Sequence, residues 1–203
     1  MERQTIILLA GSGEVRLVRD VKDILLQELP GQEIGLKGYE AEDWDGEYSP
    51  WKYTVAGRCF EGRGSETLKK IQALKQELKG EYGRLYIVGY SLAGLFALWA
   101  AKETDWFDGC ACCSGSLWFE GWEEYSRAHP LKKPSKVYLS LGGKEENARN
   151  PLIAQIGDKT RREEKRLAGD TNVTKHILVM NPGGHFASPE KRLAKGIMWL
   201  ITE

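Results

Sequence analysis

One stretch constrains the fold more than any other: Leu85-Tyr86-Ile87-Val88-Gly89-Tyr90-Ser91-Leu92-Ala93-Gly94-Leu95-Phe96-Ala97-Leu98-Trp99-Ala100-Ala101. Its first half is a short run of β-formers, and its second half reads as a helix of Leu, Ala and aromatics. Neither half has a polar face, so both elements are expected to be buried. A buried strand that turns this abruptly into a buried helix needs small residues where the two nearly touch. Gly89 and Gly94 meet that need, with Ser91 at the apex. A serine on such a strand–turn–helix junction, at the carboxyl edge of a parallel sheet, has the geometry of a nucleophile elbow. The pattern is Gly-x-Ser-x-Ala-Gly, in which Ala93 is small enough to replace the second glycine of Gly-x-Ser-x-Gly. An ordinary strand-to-helix turn with a capping serine would share it, so the rest of the chain has to decide.

Residues 5–10 (TIILLA) are an unbroken apolar run, as expected of a parallel strand covered on both faces. Gly11-Ser12-Gly13 follows, then a helical period of Val15, Val18, Val21, Ile24, Leu25 and Leu29 closed by Pro30-Gly31. A dinucleotide-binding turn would need a third glycine where Arg16 stands, and Glu14 at the helix start would repel a pyrophosphate. A short strand is expected near 33–37, then a long loop of aromatics and acids over 39–51, of the length that carries function in compact domains. Ser65-Glu66-Thr67 reads as the cap of a helix to about 78, with Leu68, Ile71, Leu74 and Leu78 inward and residues 79–83 ending it. After the elbow come a strand over 107–113, a short helix over 121–128 and a strand over 137–141. A charged helix over 151–168, a strand over 176–180 and a final helix from Ser188-Pro189 complete the chain. Leu193, Ile197, Trp199 and Leu200 form the inner face of that last helix. About six alternations of strand and helix predict an α/β fold: one domain, residues 1–203, built on a doubly wound, mostly parallel six-stranded sheet with helices on both faces. No insertion is long enough for a large lid.

Composition narrows the function. Lys+Arg and Asp+Glu both number 29, so the chain carries no net charge to attract nucleic acid. The basic run Lys159-Thr160-Arg161-Arg162 continues into Glu163-Glu164-Lys165-Arg166 and reads as a solvated helix face. The absence of an apolar signal region, and of any apolar run near 18 residues, points to a cytoplasmic protein with no membrane partner. Cys110, Cys112 and Cys113 crowd one strand and Cys59 stands alone; the spacing fits neither a redox pair nor a zinc site, so buried reduced thiols are expected.

Three turns at strand carboxyl ends carry reactive side chains. Ser91 ends the third strand, Glu145 and Glu146 follow the fifth, and His185 sits in Gly183-Gly184-His185-Phe186 after the sixth. A serine hydroxyl needs an imidazole to take its proton, and the imidazole needs a carboxylate to fix its tautomer. Of three histidines, His176 begins a strand and His129 precedes Pro130, leaving His185 as the candidate base. Glu145 is favoured as the acid, three residues after Gly142, with Glu146 as the alternative. For a developing oxyanion the expected donors are the backbone N–H groups of Leu92 and Ser12.

With these residues in place the chain resembles the α/β-hydrolase superfamily, and within it the esterase family that includes esterase D and the siderophore esterases. Ser114-Gly115-Ser116-Leu117-Trp118 resembles that family's Ser-x-Ser-x-Trp, and the segment from Asp43-Trp44 to Ser49-Pro50-Trp51 resembles a loop of its compact members. Three features depart from the pattern: the first two strands of the eight-stranded sheet are missing, the first turn is Ala-Gly-Ser-Gly, and the acid is Glu rather than Asp. The resemblance implies hydrolysis of small carboxylic esters through an acyl-enzyme, with a small-molecule ester as partner and no metal or cofactor. An acyltransferase with the same triad, or a non-catalytic binding domain on this fold, are the alternatives. Tyr90, Trp44, Trp51 and Trp118 are the candidate pocket residues, with Trp122 a further possible wall of an open aromatic cleft.

Overall fold

The computed structural model describes residues 3–78 and 83–202. Residues 79–82, read above as a helix end, lie outside that range. Among the described residues, eight strands and eight α-helices are ordered β1 (Gln4–Gly11), α1 (Val15–Glu28), β2 (Ile34–Ala41), α2 (Trp44–Glu47), β3 (Lys52–Val55), β4 (Arg58–Glu61), α3 (Gly64–Glu77), β5 (Arg84–Tyr90), α4 (Leu92–Glu103), β6 (Gly109–Cys113), α5 (Trp122–Ala128), β7 (Ser135–Gly142), α6 (Pro151–Ala154), α7 (Ile156–Ala168), β8 (Val173–Asn181) and α8 (Pro189–Thr202). Six strands form one sheet in the order β2-β1-β5-β6-β7-β8. Every pairing in it is parallel, which sharpens the expectation of a mostly parallel sheet.

The apolar runs place themselves as such a sheet requires. Ile6, Leu8, Tyr86, Val88 and Ala111 point to the face covered by α1 and α8, with Val21, Leu25, Leu193, Ile197 and Leu200 packed on them. Their neighbours Ile7, Leu9, Leu85, Ile87, Cys110 and Cys112 point to the other face, against α3, α4 and α7. Helix α4 is buried from Leu92 to Lys102, as its lack of a polar face foretold. Cys110, Cys112 and Cys113 are buried free thiols, but Cys59 is exposed on β4, so burial holds for three of the four. Burial pushes the Cys110 and Cys113 thiols up to about 12.

Other differences are local. Residues 52–61 form an antiparallel hairpin, β3–β4, outside the main sheet. Ser65 does not cap α3, which begins at Gly64 with no side-chain cap. The charged helix is two helices, broken where the Gln155 N–H turns to the carbonyls of Leu152 and Ile153. The run 159–166 is solvated only in part: Glu163 is fully buried, accepting from Trp122 Nε1 at 3.1 Å and Ser126 Oγ at 2.7 Å. Among the described residues no helix is long and apolar enough to cross a membrane.

Chain order reverses between β1 and β5. From β1 the chain moves outward to β2, then returns to β5 and proceeds to the other edge. Ligand sites of open α/β sheets lie beyond the strand ends at such a switch point.

Candidate active site

Ser91 joins β5 to α4 with φ 57° and ψ −122°, a strained conformation for a residue with a side chain. Packing imposes it. A Cβ on Gly89 would lie 2.2 Å from the Ala93 carbonyl oxygen, so only glycine lets the helix fold back this tightly. The elbow is tied to β6 and the segment after it: Ser91 N–H donates to Cys113 O at 3.0 Å and Ser116 N–H to Ser91 O at 3.0 Å.

His185, in the turn between β8 and α8, reaches Ser91 Oγ with Nε2 at 3.0 Å and Glu145 Oε2 with Nδ1 at 2.8 Å. Glu145 begins a single 3-10 turn after β7 and is buried. Its other oxygen, Oε1, accepts from Ser114 Oγ at 2.7 Å, Gly142 N–H at 2.7 Å and Arg192 Nη1 at 2.9 Å. Burial alone would push this carboxyl up, but hydrogen bonds from His185, Ser114 and Gly142 outweigh it and hold the group below its ordinary value. Glu146 points away and pairs with Arg161 at 2.8 Å. The other two histidines serve elsewhere: His129 stacks on Tyr125, and His176 faces Glu164 at 3.2 Å.

The Ser-x-Ser-x-Trp segment acquires a physical meaning. Ser114, held at φ 45°, supports the Glu145 carboxylate. Ser116 anchors the elbow, and Trp118 reaches the cavity. A Cβ on Gly115 would lie 2.1 Å from Cys112 Sγ, so the segment can cross the strand only through glycine.

The oxyanion donors need a correction. As the first residue of α4, Leu92 has no partner within the helix for its N–H. The Ser12 N–H, by contrast, is committed to Ala41 O at 2.8 Å. β1 pairs with β2 as far as Gly11↔Ala41, whereas its pairing with β5 ends at Leu8↔Val88. Successive N–H groups of a strand point to opposite edges. The Gly11 N–H therefore points toward β5, where the sheet has opened beside Ser91. It donates to Glu14 Oε2 at 2.7 Å.

A cavity of about 650 Å³ lies over Ser91 and His185, within the range of small-molecule sites. Tyr90, Trp44 and Trp118 line it, together with Phe60, Glu14 and Arg58, which the sequence did not mark as pocket residues. Trp51 does not. It packs on Phe119 and Tyr125 and donates to Glu120 O at 2.9 Å. Trp122 is buried with its indole N–H on Glu163. Trp122 is thus a core aromatic, the usual fate of large rings, and Trp51 a half-buried ring packed against that core. Arg58 is paired with Asp45. Phe186, beside His185, is 90% exposed at the rim. Among the described residues no group of three or more His, Cys, Asp or Glu side chains is gathered as a metal site.

No protein-family model matches the chain, and no curated protein matches it by sequence. Solved structures do. An IroE-like serine hydrolase from Shewanella oneidensis superposes with a TM-score of 0.79 at 16% identity, over 97% of this chain and 69% of that one. The siderophore hydrolase EstA from Aspergillus nidulans gives 0.72 at 19% identity, over 98% and 82%. A candidate hydrolase of the α/β superfamily from Xanthomonas campestris pv. campestris gives 0.57 at 14% identity, over 98% and all of that chain. The chain has the α/β-hydrolase fold.

Proposed function

We propose that, on this α/β-hydrolase fold, the protein is a serine hydrolase that cleaves small carboxylic esters through Ser91, His185 and Glu145. The observation that carries the reading is the unbroken relay from Ser91 Oγ to His185 Nε2 at 3.0 Å and from His185 Nδ1 to Glu145 Oε2 at 2.8 Å. The names of two structural neighbours, a serine hydrolase and a siderophore hydrolase, agree with it. In this mechanism His185 Nε2 takes the Ser91 proton as Oγ attacks the ester carbonyl. Glu145 fixes the tautomer that leaves Nε2 free to accept, and stabilises the imidazolium once formed. The Leu92 and Gly11 N–H groups receive the oxyanion, Gly11 after Glu14 has moved away. His185 then returns the proton to the departing alcohol, and water, activated by the same imidazole, releases the acid.

The test is hydrolysis of short p-nitrophenyl esters together with labelling by a fluorophosphonate. Ser91→Ala is expected to abolish labelling and to lower kcat by about 10⁴–10⁶-fold. Retention of more than a few per cent of kcat by Ser91→Ala would end the assignment. Glu145→Gln is expected to cost far more than Glu146→Gln, whose carboxylate lies on Arg161; the reverse order would exchange their roles.

A further inference from the structure

We infer that Arg192 is the positioning residue of the triad: it grips one oxygen of Glu145 while His185 takes the other, and it holds the backbone turn that carries His185. The inference rests on the serine-hydrolase reading and adds a residue to it. Arg192 lies in the first turns of α8 and is 2% exposed. Its Nη1 donates to Glu145 Oε1, Ser114 Oγ and Tyr90 Oη, each at 2.9 Å. Its Nη2 donates to Pro182 O at 3.1 Å and Gly184 O at 2.8 Å, the backbone of the turn that carries His185. Tyr90 completes the frame by donating to His185 O at 2.6 Å. One guanidinium thus fixes the acid, its serine support and the histidine turn, from three separate parts of the chain. A planar fork with five N–H donors can do this; an ammonium cannot.

The charge has a second consequence. The titratable groups facing Arg192 are Glu145, Tyr90, Cys113 and Tyr138, with His185 one carboxylate away. Burial raises Tyr90, Cys113 and Tyr138, so they remain neutral. Arg192 and Glu145 then balance. Arg192 therefore keeps the buried Glu145 carboxylate ionised and paired, the form that accepts from His185 Nδ1.

The measurement is kcat and KM with a p-nitrophenyl ester, kcat being normalised to the sites that a fluorophosphonate labels at completion. Arg192→Met, Arg192→Gln and Arg192→Lys are each expected to lower kcat per labelled site about tenfold or more with KM unchanged, because none keeps the planar fork and Arg192 does not line the cavity. A merely structural arginine would lower the fraction of sites labelled and leave kcat per labelled site at the wild-type value, which overturns the role of Arg192 alone. If the two neutral variants do not fold, Arg192→Lys decides on the same two readouts. A wild type that neither hydrolyses esters nor reacts with fluorophosphonate overturns the serine-hydrolase reading and this inference with it.

Discussion

Glu14 holds a carboxylate on the Gly11 N–H, where the negative charge of a tetrahedral intermediate would be received. The side chain is exposed and lines the same cavity as Ser91, so it can be displaced by an incoming ester at the cost of one hydrogen bond, about 1 kcal/mol net. Glu14→Ala should therefore raise kcat/KM about fivefold, by that same free energy. A tenfold fall in steady-state assays would instead mean that Glu14 holds the turn in its working shape. This arrangement was not legible in the sequence. Ala10-Gly11-Ser12-Gly13 shows that a turn follows β1, but which N–H faces β5 depends on where the β1–β2 ladder ends, and it runs on to Gly11↔Ala41. Ser91, His185 and Glu145 were legible because strand-end turns and chain order leave few choices. Arg192 was not, because a charge beside Lys191 and Lys195 reads as solvent face. The usable signal was its place four residues before Gly196, within the arc that buries Leu193, Ile197 and Leu200.

At the scale of elements, the acidic and aromatic segment between β2 and α3 divides its labour. Trp44 serves the cavity, whereas its acids hold the segment down. Asp45 pairs with Arg58, Asp43 with Arg63, and Glu47 is buried under all of them. Glu47 accepts from Tyr39 Oη at 2.6 Å, Lys70 Nζ at 2.9 Å and Glu42 N–H at 2.9 Å, so one carboxylate joins β2, α2 and α3. Burial opposes its charge, but these hydrogen bonds win and lower its pKa to about 2. A depressed carboxylate stabilises the fold above the unfolded-state value and stops doing so as pH falls through the folded one. Glu47→Gln should thus destabilise the protein by about 2–3 kcal/mol at pH 7. The gap from wild type should close between about pH 4.5 and pH 2. Thermal melts across that range check it, and a gap independent of pH would assign the loss to packing rather than charge. The hairpin beside this segment escaped the sequence because its strands are four residues each and its turn is Ala56-Gly57 instead of Asn-Gly. Both turn residues nevertheless take positive φ, 49° and 79°, as a tight hairpin demands. The inner strands β1, β5, β6 and β7 were easy by comparison, since a run buried on both faces must be largely apolar.

For the whole molecule, the sheet's change of direction and the cavity are one feature. β1 and β5 part beyond Leu8↔Val88, and the space between their ends is where Ser91 and the Gly11 N–H look out. Trp44 and Phe60 approach it from the segment after β2, and Trp118 from the segment after β6. The chain between β6 and β7 contains only the short helix α5, so no large lid closes over a long acyl chain. A cavity of about 650 Å³ lined by Trp44, Phe60, Tyr90, Trp118 and Phe186 would suit a compact apolar or aromatic acyl group. One methylene too many or too few in such a pocket is worth about 1–3 kcal/mol, so kcat/KM should decline in steps along a series from short to palmitoyl esters. Trp118→Ala should move the optimum toward larger acyl groups by enlarging the wall. Trp51→Ala, removing a ring packed on Phe119 and Tyr125 outside the cavity, should lower stability and leave the profile's shape unchanged. A maximum at palmitoyl, or a profile that Trp118→Ala leaves alone while Trp51→Ala shifts it, would place the acyl site elsewhere on the molecule.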